Sequence, residues 1–343
     1  MAICHMPYTI CHMLILTSPN NPRIKEVVNL RESDYRKKSG LFLIEGRREF
    51  ELALAARIEI KEVFLCPELL ARCAINFEES QRASARGASP PSALTSFAEH
   101  PPIVGDGLPH APLRTVEDLL HSALGISDLP LGLQKKGIST YEVSAEVYNK
   151  IAFGNRKDGI LAAAREPKLS LADLKLKNNP LLIVLERIEK PGNLGAIVRT
   201  ADASGADAVI ASDSSIDIYN PHAVRSSLGA LFTTQVVRGE TKKIISWLKS
   251  NNIKIICALP QADLAYTAVN FRESCAIVLG SEDKGLGAIW KDSADYRVRI
   301  PMLGKSDSLN VATAAGVLLY EAIRQRKSGL GYFGKPNHGP PAS

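Results

Sequence analysis

The sequence predicts an α/β protein: a C-terminal doubly wound, mainly parallel sheet preceded by a smaller α/β domain. Three observations carry this. From residue 180 onward, short apolar runs alternate with helical patterns, as in a parallel sheet with helices on both faces. The first run, 181–185, is apolar at every position, which suits a strand buried on both sides. The chain also changes character at a Ser/Ala/Pro/Gly-rich stretch over about 79–136 and at a polar, proline-flanked stretch over 166–179. These divide the pattern into a first domain over 14–165 with an insertion, a linker over 166–179, a second domain over 180–328 and a loose tail over 329–343.

The elements follow in order. Asn20 or Asn21 is placed to cap a helix over 22–30. A cation-dense stretch over 33–39 leads to a strand at 41–44, a helix over 48–56 and a second strand at 61–66. The insertion is too poor in apolar residues to offset its ordering entropy, so disorder is expected, with one helical piece at 115–123. Strands at 140–143 and 159–163 complete the first domain. In the second, strands are expected at 181–185, 208–211, 233–237, 254–259 and 276–279, with helices over 194–204, 222–228 and 241–251. Val298, Ile300 and Met302 alternate as in a strand. Ser308 or Asp307 then caps a helix from Leu309 or Asn310, whose apolar face is Val311, Ala314, Ala315, Leu318, Leu319 and Ala322.

Bulk properties exclude several classes. The 343 residues are 45% hydrophobic and 23% charged, ordinary for a soluble globular protein. No apolar run is long enough to span a bilayer, so no membrane association is expected. Residues 1–16 lack Lys and Arg, which argues against a secretory or transit signal, and Met13 is an alternative start. A net charge of +6 suits a polyanionic partner. The six cysteines show no zinc-ligand spacing, and Cys257 and Cys275 stand in apolar runs. Reduced core thiols in a cytoplasmic protein, and no metal, are therefore expected.

Three stretches carry chemistry. Over 186–200 a buried strand leads through Pro191 and Gly192 to a helix that Asn193 is placed to cap. Gly195 opens the first turn and Arg199 lies off the apolar face. A helix N-terminus after a strand suits an anion. Over 277–287 a strand ends in Gly280, Glu282, Gly285 and Gly287. This matches neither a P-loop nor a dinucleotide fingerprint, which counts against a nucleotide-dependent oxidoreductase. Gly280 would let an adenosine approach the backbone. Over 304–310, Ser306, Ser308 and Asn310 crowd a helix start. In the first domain, Arg36, Lys37, Lys38 and Arg47 form a basic face suited to phosphates.

Three motifs in order resemble the SpoU (TrmH-type) family of RNA ribose 2′-O-methyltransferases, of the SPOUT superfamily. They are Asn193-Leu194-Gly195-Ala196-Ile197-Val198-Arg199-Thr200-Ala201; Leu279-Gly280-Ser281-Glu282 with Gly285-Leu286; and Pro301-Met302-x-Gly304 with Ser308-Leu309-Asn310-Val311. Asn220-Pro221-x-Ala223-Val224-Arg225-Ser226-Ser227-x-Gly229 also fits the family. More loosely, residues 18–47 resemble the L30e-like substrate-binding domain found ahead of the methyltransferase domain.

The resemblance implies a C-terminal trefoil knot, a homodimer through that domain, S-adenosyl-L-methionine (AdoMet) as cofactor and RNA as substrate. Ribosomal RNA is the expected substrate. Transfer RNA, or a non-catalytic RNA-binding role, is the alternative. It implies catalysis by Arg199, Asn193, Glu282, Ser308 and Asn310, and AdoMet binding by Leu259, Gly280, Ile300, Met302 and Leu309. RNA contacts are expected from Arg36, Lys37, Lys38, Arg47, Arg225 and Ser227. Arg199 is a natural electrostatic stabiliser because a guanidinium stays protonated; a role as general base is the family's alternative. No histidine stands in the three motifs, so histidine base chemistry is not expected.

Overall fold

The computed structural model describes residues 14–70, 133, 136–154 and 158–327. They fall into two compact units, divided between Glu166 and Pro167. The expected insertion lies outside the described residues apart from positions 133 and 136. So do its expected helix at 115–123 and the tail over 329–343.

The first unit runs β1 (Leu14–Leu16), α1 (Pro22–Asn29), α2 (Ser33–Ser39), β2 (Leu41–Glu45), α3 (Arg47–Ala55), β3 (Ile60–Leu65), β4 (Ser139–Val143), α4 (Ala145–Ile151) and β5 (Ile160–Arg165). Its sheet has the order β1-β4-β3-β5-β2. The first three strands are parallel and β5 is antiparallel to both its neighbours. Asn21 caps α1, its side chain accepting from the Arg23 N–H at 2.9 Å. Gly40 ends α2 in the left-handed region, at φ 66°, where glycine carries no Cβ penalty. Ile24 and Val27 of α1 join Phe64, Tyr148, Ile151 and Leu161 in one apolar cluster. Burial of each such side chain contributes about 1.5–3 kcal/mol.

The second unit runs β6 (Leu181–Glu186), α5 (Pro191–Ser204), β7 (Ala208–Ser212), α6 (Pro221–Ser227), α7 (Ala230–Thr233), β8 (Gln235–Gly239), α8 (Thr241–Ser250), β9 (Lys254–Ala258), β10 (Leu264–Ala265), β11 (Cys275–Leu279), α9 (Ala288–Ser293), β12 (Tyr296–Arg299) and α10 (Val311–Lys327). Its sheet is parallel at every pairing, in the order β10-β12-β9-β11-β6-β7-β8. Every residue of β6 is buried, as its unbroken apolar run predicts. Leu182, Val184, Ile210, Ile255 and Val278 form one core with Leu248 and Trp290. Among the described residues no helix is long and apolar enough to cross a membrane.

The residues expected to form a linker do not all hang free. From Ser170 they make a capped 3-10 turn. The Lys175 main chain then exchanges two hydrogen bonds with the Gln235 amide, each 2.8 Å. This stretch therefore runs along the outer strand β8.

Local corrections have simple causes. Helix α5 starts at Pro191, whose fixed φ suits the first helical position, so Lys190 is the cap residue and Asn193 lies inside the first turn. Strand β12 ends at Arg299, ahead of Pro301, which cannot donate to a ladder; Ile300 and Met302 are loop residues. Helix α10 starts at Val311 and is capped by Asn310, whose Oδ1 accepts from the Ala312 N–H at 3.0 Å. Neither Ser308 nor Asp307 caps it. Thr233 closes the short α7 rather than opening β8. Both α9 and β10 are too short to leave a periodic signal.

Gly195 sets the crossing of α5 over α6. A Cβ there would lie 2.0 Å from Ser226 Oγ and 2.4 Å from the Ala223 carbonyl oxygen. Alanine gains about 1 kcal/mol in a helix interior, but overpacking against backbone costs about 1–3 kcal/mol or more. Gly195→Ala is therefore expected to lower the urea midpoint of unfolding. An unchanged or raised midpoint would contradict the close approach.

Candidate active site at the sheet's switch point

The strand order places the site before any side chain is considered. From β6 the chain winds outward through β7 to β8, and the next strands lie on the far side of β6, with β11 beside it. The reversal falls between β6 and β11, and ligands of open parallel sheets bind beyond the carboxyl ends of strands at such a point. The β6 end leads into the loop before α5, and the β11 end leads into Gly280–Gly287.

One carboxylate ties these segments together. Glu282 Oε1 accepts from Asn193 Nδ2 at 2.7 Å and from Asn310 Nδ2 at 2.9 Å. Its Oε2 accepts from the Lys190 ammonium. Asn310 Nδ2 also approaches Asn193 Oδ1, at 3.4 Å. The three sequence motifs therefore meet at Glu282. The hydrogen bond from Lys190, with help from Asn193, holds the Glu282 carboxyl below the usual range, and the same pair raises Lys190.

The loop carrying Glu282 is buttressed from below. Glu186, at the end of β6, is only 5% exposed, and its Oε2 accepts from the Gly287 N–H at 2.7 Å. Its Oε1 faces the Arg187 guanidinium at 3.2 Å. Gly280 lets the chain fold back on itself. A Cβ there would lie 2.2 Å from the Gly285 carbonyl carbon and 2.4 Å from Leu286 N. The close approach at Gly280 is thus made by the protein's own backbone. A cavity of about 40 Å³ lies beside the cluster, lined by Lys190, Asn193, Gly280, Glu282 and Val311 among others.

Arg199 stands exposed on α5, six residues beyond Asn193, and makes no hydrogen bond or ion pair with the described residues. Ser308 is also exposed, on the loop over 300–310. The structure does not bring either into the Glu282 cluster. Leu259, Gly280 and Ile300 each follow the carboxyl end of a strand, namely β9, β11 and β12. These three strands are adjacent and parallel, so all three residues come to one rim of the sheet. Leu259 joins this rim through its N–H to the Val298 carbonyl at 2.8 Å. Met302 and Leu309 lie half-buried on the loop that follows Ile300 and add apolar side chains to this part of the chain.

Two expected RNA contacts are corrected. Arg36 is 3% exposed, with Nη1 donating to the Leu30 carbonyl at 2.7 Å, where it closes the end of α1. Ser227 is fully buried and its hydroxyl donates to the Val224 carbonyl at 2.7 Å. Lys37 and Lys38 are exposed on α2, Arg47 is exposed and paired with Glu51, and Arg225 is half-buried on α6. Sequence reasoning missed Lys190 and Glu186. A carboxylate ending an otherwise apolar buried strand was the available signal for Glu186.

A parallel sheet with a carboxylate–amide cluster at its switch point places this unit in the class of open α/β domains, whose ligand sites lie at that point. Residues 180–320 match the SpoU rRNA Methylase family, and residues 21–90 match the MRM3-like substrate binding domain. The chain is 35% identical over 199 residues to the 23S rRNA (guanosine-2′-O-)-methyltransferase RlmB of Bordetella pertussis, covering 57% of this chain and 81% of that one. It is 34% identical over 176 residues to the 23S rRNA (uridine(2479)-2′-O)-methyltransferase of Streptomyces viridochromogenes, spanning 50% of this chain and 61% of that relative's length. A crystal structure described as an RNA 2′-O ribose methyltransferase superposes with a TM-score of 0.66 at 33% identity, covering 92% of this chain and 99% of that one. The chain belongs to the SpoU methylase family.

Proposed function

We propose that the protein transfers a methyl group from AdoMet to a ribose 2′-hydroxyl of RNA, with ribosomal RNA as substrate. The observation that carries this is the convergence of Asn193, Glu282 and Asn310, from three separated motifs, at the switch point. Bound AdoMet supplies an electrophilic methyl group on a positively charged sulfur. Leu259, Gly280 and Ile300, beyond the ends of β9, β11 and β12, would hold it together with Met302 and Leu309. A ribose 2′-oxygen would take that methyl group as the carbon–sulfur bond broke, releasing the neutral thioether and passing the hydroxyl proton to solvent water. Arg199 stabilises the charge that develops on that oxygen. Asn193, Asn310 and Ser308 orient the nucleotide, and Glu282 fixes the two amides. Lys37, Lys38, Arg47 and Arg225 contact phosphates, which gives affinity without reading the bases.

The protein acts as a homodimer through the second unit. The exposure of Leu303 (99%) and Tyr320 (53%) supports a partner surface there. The reaction belongs in the cytoplasm; Cys66, Cys257 and Cys275 are buried free thiols, which suits a reducing compartment.

The test is incubation with methyl-labelled AdoMet and unmodified transcripts of 23S ribosomal RNA and of transfer RNA. Label is expected in the ribosomal transcript. Label confined to transfer RNA would overturn the substrate, and label in neither would count against transfer to free RNA.

A further inference from the structure

An ionised carboxylate only accepts hydrogen bonds, and every partner of Glu282 in the cluster donates. Protonation would set an O–H against the Lys190 ammonium or an asparagine NH₂. The Asn310 amide is fixed from both ends, since its Nδ2 donates to Glu282 while its Oδ1 caps α10. If Glu282 ceased to accept, this amide would lose its shorter Nδ2 partner and keep only the 3.4 Å approach to Asn193 Oδ1 and the cap bond.

Taking the site as the methyl-transfer centre, we infer that Lys190 is a positioning residue whose ion pair fixes the Glu282 carboxylate and thereby orients the Asn193 and Asn310 amides toward the reacting nucleotide. Its location supports this. Lys190 is the cap residue of α5, where the helix dipole disfavours a cation. Helix stability therefore does not account for a lysine at this position. Its side chain is 69% exposed, yet its ammonium is directed onto a carboxylate 92 positions away in sequence.

The charges around this pair are few. From the loop before α5 come Lys190 and Glu189, and from Glu282's own loop comes Asp283; Glu186, paired with Arg187, lines the same cavity from the end of β6, and Asn310, the cap of α10, is neutral. Glu189 and Asp283 both favour the Lys190 ammonium. Without that ammonium the same two groups would disfavour a charge on Glu282. The sign follows: Glu282's carboxyl is depressed, so the ionised cluster is present above the ordinary glutamate range and is lost as pH falls through the depressed value.

The test is a ¹³C NMR titration of the Glu282 carboxylate in the full chain, assigned with Glu282→Gln. The wild-type midpoint is expected below the ordinary value of about 4.3. Lys190→Ala is expected to raise it, and Lys190→Arg to restore it. The acid limb of the kcat profile for methyl transfer should move with the midpoint, while KM for AdoMet stays put. An unchanged midpoint in Lys190→Ala would overturn the inference. So would a loss of transfer equal at every pH and not restored by arginine, which would make Lys190 a substrate contact. If the wild type methylates no RNA, the functional reading falls, while the titration still decides what Lys190 does to Glu282.

Discussion

Arg199→Ala is expected to lower the rate of methyl transfer by about 10²–10³-fold, the cost typical of removing one preorganised stabiliser of developing charge. The same substitution leaves thermal unfolding nearly unchanged. Arg199 is exposed on α5 and has no partner among the described residues, and surface substitutions away from such features stay within about 0.5 kcal/mol. Alanine also suits a helix at least as well as arginine. Single-turnover transfer and a melting curve on the same sample separate the two effects. Arg199→Lys is expected to recover only part of the rate, because an ammonium lacks the guanidinium's planar fork. A rate within twofold of wild type in Arg199→Ala would remove Arg199 from the chemistry.

Gly280→Ala is expected to lower transfer by up to about 10²-fold through position alone. The added Cβ would meet backbone atoms of Gly285 and Leu286 at 2.2 and 2.4 Å, which have no rotamer to escape into. The loop from Gly280 to Gly287 must then move. Its far end is held by the Glu186 carboxylate at Gly287, so the displacement falls on the segment carrying Glu282. Asn193 and Asn310 lose their shared acceptor. Rate and AdoMet affinity, measured together, check this. Wild-type values for both would show that the loop accommodates the methyl group elsewhere.

Periodicity made the helices legible. Leu194, Ile197, Val198 and Ala201 repeat at helical spacing and are buried in α5 as that spacing predicts. The uniform apolar run of β6 likewise announced a central strand. The meeting of the site residues was not legible from periodicity. Asn193 and Glu282 lie 89 positions apart, and only the order that puts β11 beside β6 brings them together. Motif resemblance supplied that link, but it did not supply Lys190, whose role is visible only once its ammonium is seen on Glu282.

The basic run shows a different limit. Arg36, Lys37 and Lys38 were grouped as one face, yet successive helical residues point about 100° apart. The three positions therefore span about 200°, and one of them turns inward. Arg36 does, and its stem packs while its guanidinium serves the Leu30 carbonyl. Ser227 fails as an RNA contact for the same reason: α6 turns it into the core, where its hydroxyl bonds its own helix. The cap of α10 was ambiguous because Asp307, Ser308 and Asn310 are all good caps. The choice depends on where the backbone first turns helical.

The central claim is transfer to a ribose oxygen, and alkaline hydrolysis of methyl-labelled RNA tests it most directly. A methylated 2′-oxygen cannot attack the neighbouring phosphate, so that linkage survives alkali. Label recovered in alkali-stable dinucleotides, and missing when Arg199→Ala replaces the wild type, is the predicted result. Label released in mononucleotides would mean a methylated base and would contradict the account.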